Sequence, residues 1–279
     1  MTDLVVKPVT GAIGAEVSGI DLASDLTSHD VGRLRDAFNQ FHVLFFRDQQ
    51  LCPERQAGFA RRFGELGSHP YVEPSAEHPE VLDIITEPDD RVNFGGGWHT
   101  DVTFLAEPDL GSILYAVDVP DYGGDTLWAS QHAAWDALSD TMKEFIDPLV
   151  AVHSARMQYG GNGYSQQSKA MKTRNADDAT TSEVHHPVVR THPVTGRKGL
   201  YVNKAFTERI RGLHRSESDA VLGFLFEHAV REPFTCRFQW QPGSLAMWDN
   251  RCVQHYALYD YKGKRRHMRR VTLKGDRPV

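Results

Sequence analysis

The chain has 279 residues, of which 40% are hydrophobic and 24% charged. That supplies a sizeable core and excludes wholesale disorder. A formal charge of −6 argues against nucleic acid or an anionic membrane as partner. Three cysteines without C-x-x-C spacing (Cys52, Cys236, Cys252) exclude a disulfide framework and a zinc ribbon. Residues 1–8 show no basic-then-apolar leader, and no apolar run reaches membrane-spanning length. A soluble protein of a reducing, cytoplasmic compartment is expected.

Thr27-Ser28-His29-Asp30 reads as a capping box, and Val31, Leu34, Phe38 and Phe41 follow at helical spacing. Val43-Leu44-Phe45-Phe46 reads as a buried strand. Pro53 opens a second helix with Phe59 and Phe63 on one side and Gly64 as its stop. Strands are predicted over 112–117 and 126–129, then a helix over 131–146 interrupted near Ser139. The polar, glycine-rich segment 158–183 reads as a mobile, lid-like loop. Strands follow over 187–191 and 199–202, and a helix over 216–230 carries Val221, Leu225 and Ala229. The strands 235–240 and 244–248 are predicted to form a hairpin across Pro242-Gly243, and a last strand covers 270–273. There is no internal repeat and no domain boundary, so 1–279 is expected to be a single domain. The class is mainly β with peripheral helices around a barrel-like core.

His99-Thr100-Asp101, with His255 far downstream, could hold a metal by one face. Two imidazoles and a carboxylate leaving open positions are the signature of non-haem Fe(II) oxygenases. On an extended segment residues i and i+2 point the same way, so His99 and Asp101 would converge while Trp98 and Thr100 face elsewhere. Gly95-Gly96-Gly97 gives the backbone freedom beside such a site. A zinc site remains open at this point, as does a chance match among 14 histidines. His153, His185, His186 and His192 read as ordinary surface or core histidines.

In Arg265-Arg266-His267-Met268-Arg269-Arg270, a strand would put Arg266, Met268 and Arg270 on one face. Two inward guanidiniums call for anionic partners, and the carboxylates or sulfonates of small ligands suit them. A nucleic-acid-binding run or a solvated edge strand is the bland alternative.

Taken in order, several runs resemble the taurine dioxygenase (TauD/TfdA) family of Fe(II)- and 2-oxoglutarate-dependent oxygenases. They are residues 14–19 (GAEVSG), 62–66 (RFGEL), 98–104 (WHTDVTF), 123–126 (GGDT), His192-Pro193, 248–251 (WDNR), His255-Tyr256-Ala257 and 266–270. The resemblance implies a double-stranded β-helix (jelly-roll, cupin-like) core. It implies His99, Asp101 and His255 as iron ligands and catalytic centre, with Fe(II), 2-oxoglutarate and O2 as cofactor and co-substrates. Thr126 and Arg266 would bind the distal carboxylate of 2-oxoglutarate. His69 and Phe206 match substrate-pocket positions, Tyr71 and Tyr159 are expected to bind substrate with them although the taurine pattern differs there, and Arg270 matches the residue that pairs with a substrate sulfonate. Trp248 and Asn250 would support the ligands.

Gly95-Gly96-Gly97 stands where taurine-type members place an asparagine, which implies a wider, less polar pocket. Residues 196–203 and 234–237 look closer to the aryloxyalkanoate dioxygenases of the family. The implied reaction is hydroxylation of a small anionic organic substrate: a sulfonate such as taurine, a sulfate ester or an aryloxyalkanoate. The product often collapses to an aldehyde or ketone and a leaving group. Asp101 argues against halogenation, which needs that ligand position free. The resemblance also implies a homo-oligomer. A non-catalytic jelly-roll metal- or ligand-binding protein and a zinc hydrolase are the rival readings.

Overall fold

The structure, a computed structural model, describes residues 4–75, 77–160 and 182–279. The chain begins with strands β1 (Val5–Pro8) and β2 (Ala15–Ser18), helix α1 (Ser28–Phe41) and strand β3 (Val43–Phe46). Helix α2 (Pro53–Arg61) leads to β4 (Leu82–Thr86), β5 (Gly111–Asp118) and β6 (Thr126–Ser130). Helices α3 (Gln131–Asp136) and α4 (Asp140–Ile146) precede β7 (Val150–Ser154) and the short α5 (Arg156–Tyr159). Next come β8 (Glu183–Pro187), β9 (Val189–Thr191), β10 (Lys198–Leu200), β11 (Thr207–Ile210) and α6 (Arg215–His228). The last strands are β12 (Thr235–Phe238), β13 (Leu245–Asp249), β14 (Val253–Ala257) and β15 (Arg266–Leu273).

Seven strands form the main sheet, in the order β1-β2-β3-β13-β5-β15-β4, and β12-β6-β14 form a second. Two smaller sheets, β11-β7-β8 and β10-β9, complete the β content. Side-chain alternation explains the sandwich. Val43 and Phe45 from β3, Leu114 and Ala116 from β5, and Ala246 and Trp248 from β13 all face inward, where they meet Trp128, Phe238 and Trp240. Their sequence neighbours Leu44, Phe46, Ile113, Tyr115, Leu245 and Met247 face outward, beneath Leu34 and Phe38 of α1 and Phe59 of α2. A strand buried on both faces must be apolar throughout, which is why Val43-Leu44-Phe45-Phe46 shows no alternation.

The capping box before α1 forms as read, with Thr27 and Asp30 bonding reciprocally. The break at Ser139 also forms: its hydroxyl accepts from the Met142 N–H and starts α4. The hairpin across Pro242-Gly243 does not form. Strand β12 pairs with β6, while β13 pairs with β3 and β5 in the other sheet. The turn chemistry is present, with Ser244 N–H donating to the Gln241 carbonyl at 2.9 Å. It carries the chain between sheets because both edges of β13 are already taken. The strand predicted over 187–191 splits at Val188, with β8 joining β7 and β9 joining β10. The lid-like segment 158–183 lies outside the described residues over 161–181. Among the described residues, no helix is long and apolar enough to cross a membrane.

Candidate active site

The distant ligand candidates are joined backbone to backbone. His99 N–H donates to the His255 carbonyl at 3.1 Å, and His255 N–H donates to the His99 carbonyl at 2.8 Å, an isolated antiparallel bridge. This reciprocal pair sets the two Cα atoms about 5.5 Å apart and the imidazoles side by side, with ring centroids 4.1 Å apart. Strand β14 delivers His255 from its pairing with β6, opposite Trp128. Asp101 follows His99 in a turn where Val102 adopts φ 46°. Asp101 Oδ1 lies 3.6 Å from His99 Nε2 and 3.7 Å from His255 Nε2. Trp98 turns away to pack on Tyr256, and the Thr100 hydroxyl donates to the Val253 carbonyl.

The donor set fits a divalent metal. The Nδ1–H of His99 donates to the Gly97 carbonyl at 2.7 Å, which leaves the Nε2 lone pair facing Asp101. Burial, then the neighbouring His99, pushes His255 down to about 3, so its ring is neutral and able to ligate. Burial alone would raise Asp101, but Arg270, His255 and His99 together hold its carboxyl well below the usual range. Asp101 Oδ2 accepts from the Ser112 hydroxyl at 2.9 Å and from Asn250 Nδ2 at 3.4 Å, and Asn250 Oδ1 accepts from Trp248 Nε1. Trp248 and Asn250 thus stand in the supporting places expected of them. Ser112 is a support that its sequence did not signal.

The glycine run borders the ligand candidate His99. Gly95 has φ +78°, a side chain there would sit 3.3 Å from the His99 ring, and its carbonyl accepts from the Ala257 N–H. A buried asparagine does stand nearby: Asn93 donates from Nδ2 to the Ala257 carbonyl.

Strand β15 extends from Arg266 to Leu273, four residues earlier than the predicted strand. Arg266, Met268 and Arg270 are all buried on one face, while Arg265 is exposed. Arg270 Nη1 reaches Asp101 Oδ1 at 3.2 Å. Arg266 has no carboxylate within 4 Å among the described residues. Its Nη2 donates to the Gly124 carbonyl at 3.2 Å and its Nε has no partner. Burial pushes its pKa down. Gly124, at φ +69°, is where a side chain would sit only 3.1 Å from that Nε and from Tyr261. Thr126 is buried on the neighbouring sheet and accepts from Trp240 Nε1 at 3.0 Å, a contact the sequence reading missed.

The four expected pocket residues come together. The Tyr159 hydroxyl and His69 Nε2 are 3.1 Å apart, and the Tyr71 N–H donates to His69 Nδ1. Tyr71 packs against Tyr159 at 5.2 Å, and Phe104 links Tyr71 and Tyr159 to Phe206. Phe206 stands edge-on to His99 at 6.5 Å. Phe104 and Phe94 join this wall unannounced, since an isolated aromatic in a loop has no periodicity to read. Of the histidines read as ordinary, His185 is exposed and His153 and His186 are buried. His192 is a core histidine with a carboxylate partner: its Nε2 donates to Asp249 Oδ2 at 3.0 Å.

Comparison with known proteins agrees with this geometry. A model of the "Taurine catabolism dioxygenase TauD, TfdA family" matches residues 6–272. An alkylsulfatase of Acinetobacter baylyi is 40% identical over 98% of this chain and 86% of its own length. An alpha-ketoglutarate-dependent sulfate ester dioxygenase of Pseudomonas putida is 38% identical over 99% of this chain and 91% of its own. The crystal structure of a taurine dioxygenase from Burkholderia xenovorans superposes with a TM-score of 0.84 at 38% identity, covering 99% of this chain and 91% of that one. Agreement over so much of the chain, in sequence and in jelly-roll fold alike, shows that it belongs to the TauD/TfdA family and is an Fe(II)- and 2-oxoglutarate-dependent dioxygenase.

Proposed function

We propose that the enzyme oxidises small organic anions with an apolar body, alkyl sulfate esters foremost, at the carbon bearing the ester oxygen. His99, Asp101 and His255 would hold Fe(II), and Thr126 and Arg266 the distal carboxylate of 2-oxoglutarate. Arg270 would receive the anionic group of the substrate, with His69, Tyr71, Tyr159 and Phe206 around its organic part. The observation that carries this reading is Arg266: a buried guanidinium without a carboxylate partner is costly, and a carboxylate ligand relieves it.

Bound Fe(II) and 2-oxoglutarate would supply O2 activation, in which 2-oxoglutarate loses CO2, one oxygen atom goes to the succinate formed and the other to the substrate carbon. The chain's own groups do the positioning. Ser112 and Asn250 fix Asp101. Gly97 fixes the tautomer of His99. The aromatic wall excludes water from the substrate carbon. A hydroxyl placed on a carbon that bears a sulfate leaves an unstable hemiacetal-like ester, which collapses to an aldehyde and hydrogen sulfate.

The mostly aromatic wall favours sulfate esters over taurine; identity does not separate the two, since the sulfate ester dioxygenase and the taurine dioxygenase both stand at 38%. The test is a panel of alkyl sulfates, taurine and phenoxyacetate, scored by succinate formed per substrate lost. Tight coupling with medium-chain alkyl sulfates supports the reading, and coupling with taurine alone defeats it. The proposal extends to one catalytic domain over 1–279 and to a homo-oligomer, which light scattering on the purified protein checks.

A further inference from the structure

A second group of buried donor side chains includes Asp249 and Cys252, which flank Asn250 in the chain. His42, His132, His192, Asp249 and Cys252 are all essentially inaccessible to solvent. Two of them are fully engaged. His192 donates from Nε2 to Asp249, and its Nδ1 accepts from the N–H groups of Val194 and Thr195. Asp249 also takes Arg251 in a bidentate pair, at 2.8 and 2.6 Å. Those bonds form a closed, charge-balanced network.

The other three are not engaged in this way. Among the described residues, neither ring nitrogen of His42 has a partner, and nor does His132 Nε2. Among the described residues, the hydrogen bonding of the Cys252 sulfur is one 3.9 Å contact to the Asp249 carbonyl. Ligating atoms of these three residues lie within 4.8 Å of one another. His132 is set up as a ligand: its Nδ1–H donates to the Lys198 carbonyl at 2.7 Å, so the lone pair sits on the free Nε2. Gly199 leaves it room, since a side chain there would come within 3.1 Å of that ring. His42 is held at φ 61° as the C-cap of α1, with its carbonyl accepting from the Asp249 N–H at 2.9 Å. Leaving buried polar nitrogens unpaired costs about 1–3 kcal/mol each. A core built only for packing has no use for them.

We propose that His42, His132 and Cys252 form a second metal site, for a single thiophilic d10 cation, copper(I) rather than zinc(II). One thiolate and two imidazoles suit either ion. Charge decides between them. Copper(I) with one thiolate and two neutral imidazoles is uncharged, whereas zinc(II) leaves a net positive charge in a dry core, which is costly. Burial keeps both imidazoles neutral, pushing His42 to about 3 and His132 to about 4. Burial also pushes the Cys252 thiol up, so the metal must displace its proton to bind. An occupied site would stiffen the turn from which Asn250 reaches Asp101.

The test is an anaerobic competition between the iron-loaded enzyme and a chromophoric copper(I) chelator, with zinc(II) in a parallel arm. Because the donors are buried, each metal is offered to the folded enzyme overnight and also during refolding. The expected result is one equivalent of copper(I) retained by the wild type and by a His99→Ala variant. Retention should weaken at least about a hundredfold in Cys252→Ala and in His132→Gln. Copper X-ray absorption should show one sulfur and two nitrogen neighbours, and copper should raise the Tm of the wild type and of His99→Ala but not of Cys252→Ala or His132→Gln. No copper uptake by the wild type, equal uptake by Cys252→Ala and His132→Gln, or uptake of zinc alone would overturn the assignment.

Discussion

Arg266→Met separates a ligand anchor from a structural residue, because the two roles predict opposite signs for stability. Among the described residues the Arg266 guanidinium makes one hydrogen bond, to the Gly124 carbonyl at 3.2 Å, and faces the rings of Trp240 and Tyr261 at 6.0 and 5.9 Å. Losing the charged hydrogen bond costs about 1.5–3 kcal/mol. Removing a buried, unpaired charge returns several kcal/mol. Methionine keeps the apolar volume, so the metal-free variant should melt at or above the wild type, each kcal/mol moving Tm by about 2–4 °C. Affinity for 2-oxoglutarate should move the other way. A desolvated charged contact is worth about 2–5 kcal/mol, which is about 30-fold to about 5,000-fold in Kd. The assay is anaerobic titration of the Fe(II)-loaded enzyme with 2-oxoglutarate, followed by the visible charge-transfer band, beside thermal melts of metal-free protein. Unchanged 2-oxoglutarate affinity, with a melting point several degrees lower, would refute the reasoning.

Arg270→Ala should raise the KM for an anionic substrate far more than it slows substrate-free turnover of 2-oxoglutarate; equal losses in steady-state assays of both would remove the assignment. Asp101→Ala should abolish coupled turnover, and retained activity with normal iron dependence would end the case for the triad. Tyr159→Phe removes the hydroxyl that meets His69 at 3.1 Å. A lost neutral hydrogen bond of about 0.5–1.5 kcal/mol predicts a KM rise of about 2-fold to about 12-fold with kcat nearly unchanged, and an unaltered KM counts against a pocket role. Asp109 is buried, and burial, with the Asp101 charge beside it, raises its carboxyl to about 7. Below about pH 4 it is protonated in both folded and unfolded chains and has no effect on the difference. Between about 4 and 7 only the unfolded chain releases the proton, so stability falls by up to about 4 kcal/mol and stays low above 7. In denaturant titrations of the metal-free protein, Asp109→Asn should therefore gain on the wild type between pH 4 and 7, and a parallel pH dependence would contradict the raised value.

Local rules carried far in this chain where the physics is local. The capping box at Thr27, the break at Ser139 and the doubly buried run 43–46 each depend on neighbours in sequence, and each forms. The inward trio Arg266, Met268 and Arg270 follows from strand alternation alone. Pairing is another matter. Pro242-Gly243 makes its turn, yet the strands it joins pair elsewhere, because pairing is decided by which edges remain free. Strand β1 is an exposed edge with no apolar alternation to read, and β14 is masked by Gln254 and His255. The set His42, His132 and Cys252 is the extreme case. Its members come from a helix cap, a helix start and a turn, and no spacing links them.

The placement of the anchors explains how one architecture serves several substrates. Arg266 and Arg270 ride on β15, which is hydrogen-bonded on both sides, to β5 and to β4. Ser112, which fixes Asp101, lies on β5. These groups stand on rigid strands, where position varies least. The aromatic wall is built differently: His69, Tyr71, Phe94, Phe104 and Phe206 lie outside every helix and strand, and Tyr159 ends the short α5. Loop residues can be exchanged without disturbing a sheet. The proposed metal and 2-oxoglutarate sites would thus be separated from the proposed substrate wall by the stiffness of the elements that carry them. Substrate choice can change in the wall while the strands keep the reaction the same.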